Sequence, residues 1–453
     1  MTDITTLNAT DMAQRIRTGA LSARQVLDAH RARVEAVKKT VNAFVTLDWD
    51  RAAARADELD QMAAQGQFAG PLHGVPVAIK DVFETKGLRT TYGSQSFADH
   101  VPTRDALHVK RLRDAGAVIF GKTNTPEFAF SGQTTNLISG TTRNPLDPAK
   151  TVAGSSGGAA AALAARMTPL ADGSDLGGST RTPAGWCGVV GYRPTSGLIP
   201  YDPNPTPFDG LSIPGPMART VSDLVLMLEV MQGNTPTQPL GYWFEPPSLS
   251  KLNRPVPPRK LAMSLAPFGA SVAPSIQSAL TPVADICRAA GWQIENSAPD
   301  LEPLLPFGSL IRGLSALGYR DAMRPEMALA GKSFVTACAA GEGLSLQDFV
   351  DYRRIRAQVW EATVRFFDTY DFALWPTTTG FAFSAELKDH ELPEDWRTVT
   401  LTPVLELPSI SIPFGTSSDG MPVGLHITGP RGSDARLLRF ARWIERTVSG
   451  DHR

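Results

Sequence analysis

Behind Ser22, a residue suited to an N-cap, the apolar positions Val26, Leu27, Val34 and Val37 recur on one face with His30 among them, which predicts a helix. His30 on that face reads as a packing or surface histidine, not a catalytic one. A second helix is expected from about Asp50 to Ala64, ending near Gly66. The period then changes. His73 to Ile79 is a short apolar run, a predicted strand whose Pro76 argues for a strand end or a sheet edge. Lys80 emerges where that run stops. Residues 106–122 repeat the theme: a helix carrying Val109, Leu112 and Ala115, then the strand Ala117 to Phe120, then Gly121-Lys122-Thr123-Asn124. A helix over Gly157 to Ala165, a strand over Thr168 to Ala171 and a helix that Pro183 could start follow. Helices alternating with short buried strands predict an α/β fold, a mixed twisted sheet with helices on both faces.

Beyond residue 200 the pattern loosens. Pro200, Pro203, Pro205, Pro207, Pro214 and Pro216 predict a segment that is neither regular helix nor central strand. Helices are expected at Leu224 to Met231, 275–291 and 344–369, the last ending at Tyr370. Strands are expected at Phe372 to Trp375, Ser409 to Pro413 and Met421 to Ile427, and a closing helix at Ala435 to Val448. Residues 300–343, with Phe307, Tyr319, Met323, Met327 and Phe334, show no clear period. The organisation expected is one domain over 1–453 with a cap inserted at about 200–400.

Charge and composition narrow the function classes. A net charge of −1 over 453 residues offers no footprint for nucleic acid or an anionic membrane. No apolar run reaches the ~20 residues that a spanning helix needs. Met1 to Thr6 lacks the character of a secretory leader. Cys187, Cys287 and Cys338 stand far apart, with no CxxC pair and no histidine spacing suited to zinc. They read as buried thiols in a reducing cytoplasm.

Chemistry concentrates in two glycine-rich turns. Ala153-Gly154-Ser155-Ser156-Gly157-Gly158 precedes a helix, and Asp175-Leu176-Gly177-Gly178-Ser179-Thr180-Arg181 places a second serine 24 positions after Ser155. Glycines beside Ser179 let successive backbone N–H groups converge on one point, the arrangement a developing oxyanion needs. With Lys80, these turns resemble the core of the amidase signature family, whose members cleave C–N bonds with a Ser–Ser–Lys triad. Gly121 to Asn124, Thr142 to Pro145, Gly188 to Thr195, Gly215 to Thr220 and Leu407 to Pro413 extend the resemblance in order. It departs at Ala153, where a second glycine is usual, and in the proline-rich stretch from Pro200 to Gly215.

The resemblance implies that Ser179 is the nucleophile, Ser155 the bridging serine behind a cis peptide from Gly154, and Lys80 the base. It implies an oxyanion hole from the N–H groups of Leu176, Gly177, Gly178 and Ser179. It also implies hydrolysis of an amide-type C–N bond through an acyl-enzyme, with no metal or organic cofactor, and dimers are common in the family. Lys80 can act only when neutral, which for a free lysine at pH 7 costs about 4.6 kcal/mol, and burial is a source of that shift. Asp81 is assigned to structure, as is Arg181 paired with Asp175; Ser156 supports the turn or orients Ser155 and Lys80. Ala129, Phe130, Ser131, Phe208, Phe307 and Tyr319 are the candidate pocket residues. They suggest a hydrophobic or aromatic amide or carbamate (urethane) substrate. Two other readings compete. Gly154 to Gly158 also fits G-x-S-x-G, which would make Ser156 an esterase nucleophile served by His390, His426 or His452. The glutaminase-type component of the tRNA-dependent amidotransferase shares the triad, and it would need a partner chain.

Overall fold

The computed structural model describes residues 3–204, 206–388, 391–393 and 396–450. Along β2 (Pro76–Lys80) successive side chains go to opposite sides. Val77 and Ile79 join one apolar cluster and Ala78 another, so both faces of the strand are covered. The other strands are β1 (Phe44–Leu47), β3 (Val118–Thr123), β4 (Thr135–Asn136), β5 (Gly140–Thr141), β6 (Leu170–Asp175), β7 (Val190–Arg193), β8 (Ile213–Ala218), β9 (Lys260–Met263), β10 (Gln293–Glu295), β11 (Phe372–Pro376), β12 (Ser409–Thr416) and β13 (Pro422–Thr428). β4 and β5 pair alone. The rest form one mixed 11-stranded sheet in the order β1-β3-β2-β6-β8-β7-β12-β13-β11-β9-β10. On one face lie residues of the helices Leu107–Asp114, Val221–Met231 and Asp434–Ser449. On the other lie those of Ala23–Val41, Trp49–Ala64, Gly157–Ala164 and Arg181–Cys187. This is the expected α/β architecture.

Local signals place several elements well. Ser22 caps Ala23–Val41 in a full capping box with Gln25, and Leu346–Thr369 ends at Tyr370. Pro76 is the first residue of β2, where a missing N–H is tolerated, although β2 is an interior strand.

Four expectations need correction. The proline-rich stretch ends in β8, an interior strand that contains Pro214 and Pro216 and pairs with β6 along its length. Prolines two apart put both missing N–H groups on one edge, and β7 pairs only with Val190 and Gly191 against Ala218 and Met217. Residues 300–343 are largely helical, at Gly308–Met323 and Lys332–Glu342. Their contact is built from small residues: a Cβ added at Gly313 would stand 2.7 Å from the Cα of Gly341, so no apolar stripe marks it. The helix expected at 275–291 is two, Pro274–Leu280 and Pro282–Ala289, divided at Pro282. The region expected as a cap also supplies β8, β9, β10 and β11, so only part of 200–400 lies outside the sheet.

Cys187, Cys287 and Cys338 are free thiols and all are buried. Among the described residues no helix is long and apolar enough to cross a membrane.

Candidate active site

β2 and β6 are parallel neighbours, so their carboxyl ends open at the same edge of the sheet. Lys80 is the last residue of β2, and β6 ends at Asp175, leading directly into the turn that carries Ser179. Ser155 and Ser156 arrive from the amino end of Gly157–Ala164. The Gly154–Ser155 peptide is cis.

These elements enclose the lysine. Lys80 Nζ donates to Ser155 Oγ at 2.7 Å, Ser156 Oγ at 2.9 Å and Ser174 Oγ at 2.9 Å. Three acceptors match the three donors of an ammonium; a neutral amine has two donors and a lone pair that must accept a proton. Ser156 Oγ donates to the Ser174 carbonyl and receives the Ser174 N–H, both at 3.2 Å, so its own proton is committed elsewhere. Ser155 carries no such commitment and stands between Lys80 and a cavity of about 520 Å³ that Ser155 and Ser179 both line. Burial pushes the Lys80 pKa down to about 7, against the opposing charges of Asp172 and Asp175.

Asp172 and Ser174 were not singled out from the sequence. Asp172 accepts the Lys80 backbone N–H at 2.5 Å and faces His108 Nε2 at 3.0 Å, all of it buried. Both lie in a strand that is buried throughout, so each polar side chain there needs a partner.

Asp175 shapes the turn. It accepts Gly178 N–H at 2.9 Å, Thr180 N–H at 3.1 Å and Thr180 Oγ1 at 2.8 Å, and it binds Arg181 through Nε at 3.0 Å and Nη2 at 2.8 Å. Against the upward push of burial, the Arg181 guanidinium and these donors hold its carboxyl well below the usual range. The Gly178 N–H, one of the four expected in an oxyanion hole, is donated to Asp175. Leu176, Gly177 and Ser179 offer N–H groups that meet no acceptor among the described residues. Gly178 has φ +96°, and a Cβ there would lie 2.2 Å from Val399 Cγ2. Asp81, as a structural residue, accepts Thr91 N–H at 3.1 Å, and burial pushes its pKa up to about 6.

The rival histidine arrangement fails at His426. Its Nε2 accepts from Arg181 Nη1 at 3.1 Å, and neither ring nitrogen meets a serine among the described residues. His390 and His452 lie outside the described residues, as does Pro205.

Of the candidate pocket residues, Ala129, Phe130, Ser131 and Tyr319 line the cavity. Phe208 does not: it is 82% exposed on the proline-rich loop. Phe307 turns away to pack on Tyr352, with ring centroids 5.7 Å apart, while Leu304, Ile311 and Arg312 form that wall. The segment Trp396 to Val404 supplies the opposite wall. Neither wall had a sequence signal, because which loop faces a site is decided by tertiary packing. Among the described residues, no group of three or more His, Cys, Asp or Glu side chains could hold a metal ion.

Comparison with known proteins identifies the family. The family model for amidase matches residues 25–438. The chain is 33% identical to an acylamidase of Rhodococcus erythropolis, over 97% of this chain and 95% of that one. It is 32% identical to the A-type subunit of the glutamyl-tRNA(Gln) amidotransferase of Koribacter versatilis, over 99% of both. Its fold superimposes on a bacterial aryl acylamidase of the amidase signature family with a TM-score of 0.89 and 25% identity, covering 97% and 96% of the two chains. The chain belongs to the amidase family and is an amidohydrolase.

Proposed function

We propose that the protein hydrolyses a small hydrophobic or aromatic amide or carbamate through an acyl-enzyme on Ser179, with Ser155 and Lys80 completing a proton path. The single observation that carries this reading is the buried Lys80, poised near neutrality and hydrogen-bonded to Ser155, beside the cavity that Ser179 also lines. Ser179 Oγ attacks the carbonyl carbon as its proton passes through Ser155 to the Lys80 amine. The oxyanion forms against the N–H groups of Leu176, Gly177 and Ser179. Lys80 then returns a proton through Ser155 to the departing nitrogen, the C–N bond breaks, and water repeats the sequence on the acyl ester. Three free buried thiols fit a reducing compartment.

The test is aniline release from acetanilide and methyl N-phenylcarbamate, with Ser179→Ala as control. Release from either that disappears in the variant supports Ser179 chemistry, and the ratio ranks amide against urethane. Silence with both substrates overturns the stand-alone reading. A second reading, a glutaminase component of a larger assembly, has support in the likeness to the amidotransferase chain of Koribacter versatilis. It requires a second chain to co-purify from the native host.

A further inference from the structure

The cavity beside Ser179 opens into a larger one of about 750 Å³, and the two share a waist that includes Phe130, Gly132, Trp396, Arg312 and Arg397. Two guanidinium groups thus flank the passage between the chambers. Arg312 Nη2 is anchored on the Phe130 carbonyl at 2.5 Å. Arg397 differs. Its guanidinium lies 4.9 Å from the centre of the Trp396 ring, and among the described residues it meets no carboxylate. It stands against Gly132, where an added Cβ would lie 3.7 Å from Nη1. Burial, with the nearby Arg312 adding to it and Asp175 opposing, lowers its pKa to about 10.

Among the described residues, the other charges on the outer walls do not answer it. Glu127 accepts the Gly331 N–H at 2.5 Å, Glu386 pairs with Arg143, and Lys332 and Lys388 add positive charge. A planar guanidinium is the side chain best suited to a planar carboxylate, which it engages through paired donors. We infer that the substrate carries a carboxylate on the far side of an apolar spacer from the scissile bond, and that Arg397 receives it at the waist. The spacer fills the Phe130 and Tyr319 side of the inner chamber while the carbonyl reaches Ser179. This inference rests on the proposed hydrolysis at Ser179. It narrows the proposed amide or carbamate to one that carries an anionic group.

Three matched anilides test it. Acetanilide is neutral, 4-acetamidobenzoate places the carboxylate on the amine side, and succinanilate places it on the acyl side. At least a tenfold preference in kcat/KM for one anion over acetanilide is expected. Arg397→Gln should reduce that preference at least tenfold, and Arg397→Lys should restore part of it. A merely structural arginine would lower all three alike and leave the ratio intact, which overturns the inference. Calorimetry on Ser179→Ala separates the two readings. If no anilide is cleaved but this variant binds an anion over acetanilide, and loses that selectivity on adding Arg397→Gln, the anion site stands and the hydrolytic reading falls. Equal binding of anion and neutral probe overturns the site.

Discussion

Replacing Lys80 with methionine should abolish amide hydrolysis and at the same time stabilise the fold, in a way that depends on pH. The side chain is fully buried, and its pKa falls from 10.5 to about 7. At about 1.4 kcal/mol per unit, that gap corresponds to about 5 kcal/mol of penalty for the buried ammonium. An unfolded lysine keeps its proton up to about pH 10.5, and the folded one releases it near 7. Between those values the unfolded state binds more protons, so wild-type stability rises with pH by about 1.4 kcal/mol per unit. Below pH 7 the whole penalty is present; above about 10.5 it is gone. Methionine removes the titration but deprives Ser155, Ser156 and Ser174 of a shared donor, a loss of about 1 kcal/mol at each. The variant should therefore be about 2 kcal/mol more stable than wild type at pH 6, with the order reversing above about pH 8. Urea unfolding of both proteins from pH 6 to 9 measures this directly. Stability curves that run parallel across that range would mean Lys80 stays charged in the folded protein, and the reasoning would be refuted.

Two other perturbations probe different parts of the molecule. Arg181→Met takes the nearer of two cations from the buried Asp175 carboxylate, leaving Arg193 at 3.9 Å, and should cost about 3–5 kcal/mol in urea unfolding; a loss under 1 kcal/mol would contradict the role given to that pair. Gly313→Ala forces a methyl to within 2.7 Å of Gly341 Cα and should lower stability by about 1–3 kcal/mol, whereas Gly308→Ala, with nothing within 4 Å, should be close to neutral. Equal effects from the two would remove the close helix crossing as a constraint.

What could be read from the sequence was what is decided locally. The Ser22 cap and the end at Tyr370 depend on a few neighbouring residues, and both are found where the chain predicted them. Lys80, Ser155 and Ser179 were identified through resemblance, since no spacing rule brings a residue 75 positions away to Ser155. Ala153, where a glycine is usual, takes φ +62°, so the departure kept the left-handed backbone that glycine would have adopted freely. Asp172 and Ser174 escaped notice because their meaning comes from burial of the whole strand. β8 was concealed by a local rule about proline that two prolines on one edge evade. The crossing at Gly313 and Gly341 was concealed because small residues carry no hydrophobic signature.

The buried cysteines turn the protein into its own stopwatch. Cys187 follows the turn with Ser179, Cys287 sits in Pro282–Ala289, and Cys338 lies in Lys332–Glu342 beside the outer chamber. Burial pushes the Cys287 thiol up to about 12 and that of Cys187 higher still, so neither forms the reactive thiolate while packed. A thiol reagent therefore waits for each region to open, and its three rates report three separate local openings without any added label. Ligand bound in the chambers would slow the clocks at Cys187 and Cys338 and leave the one at Cys287 running.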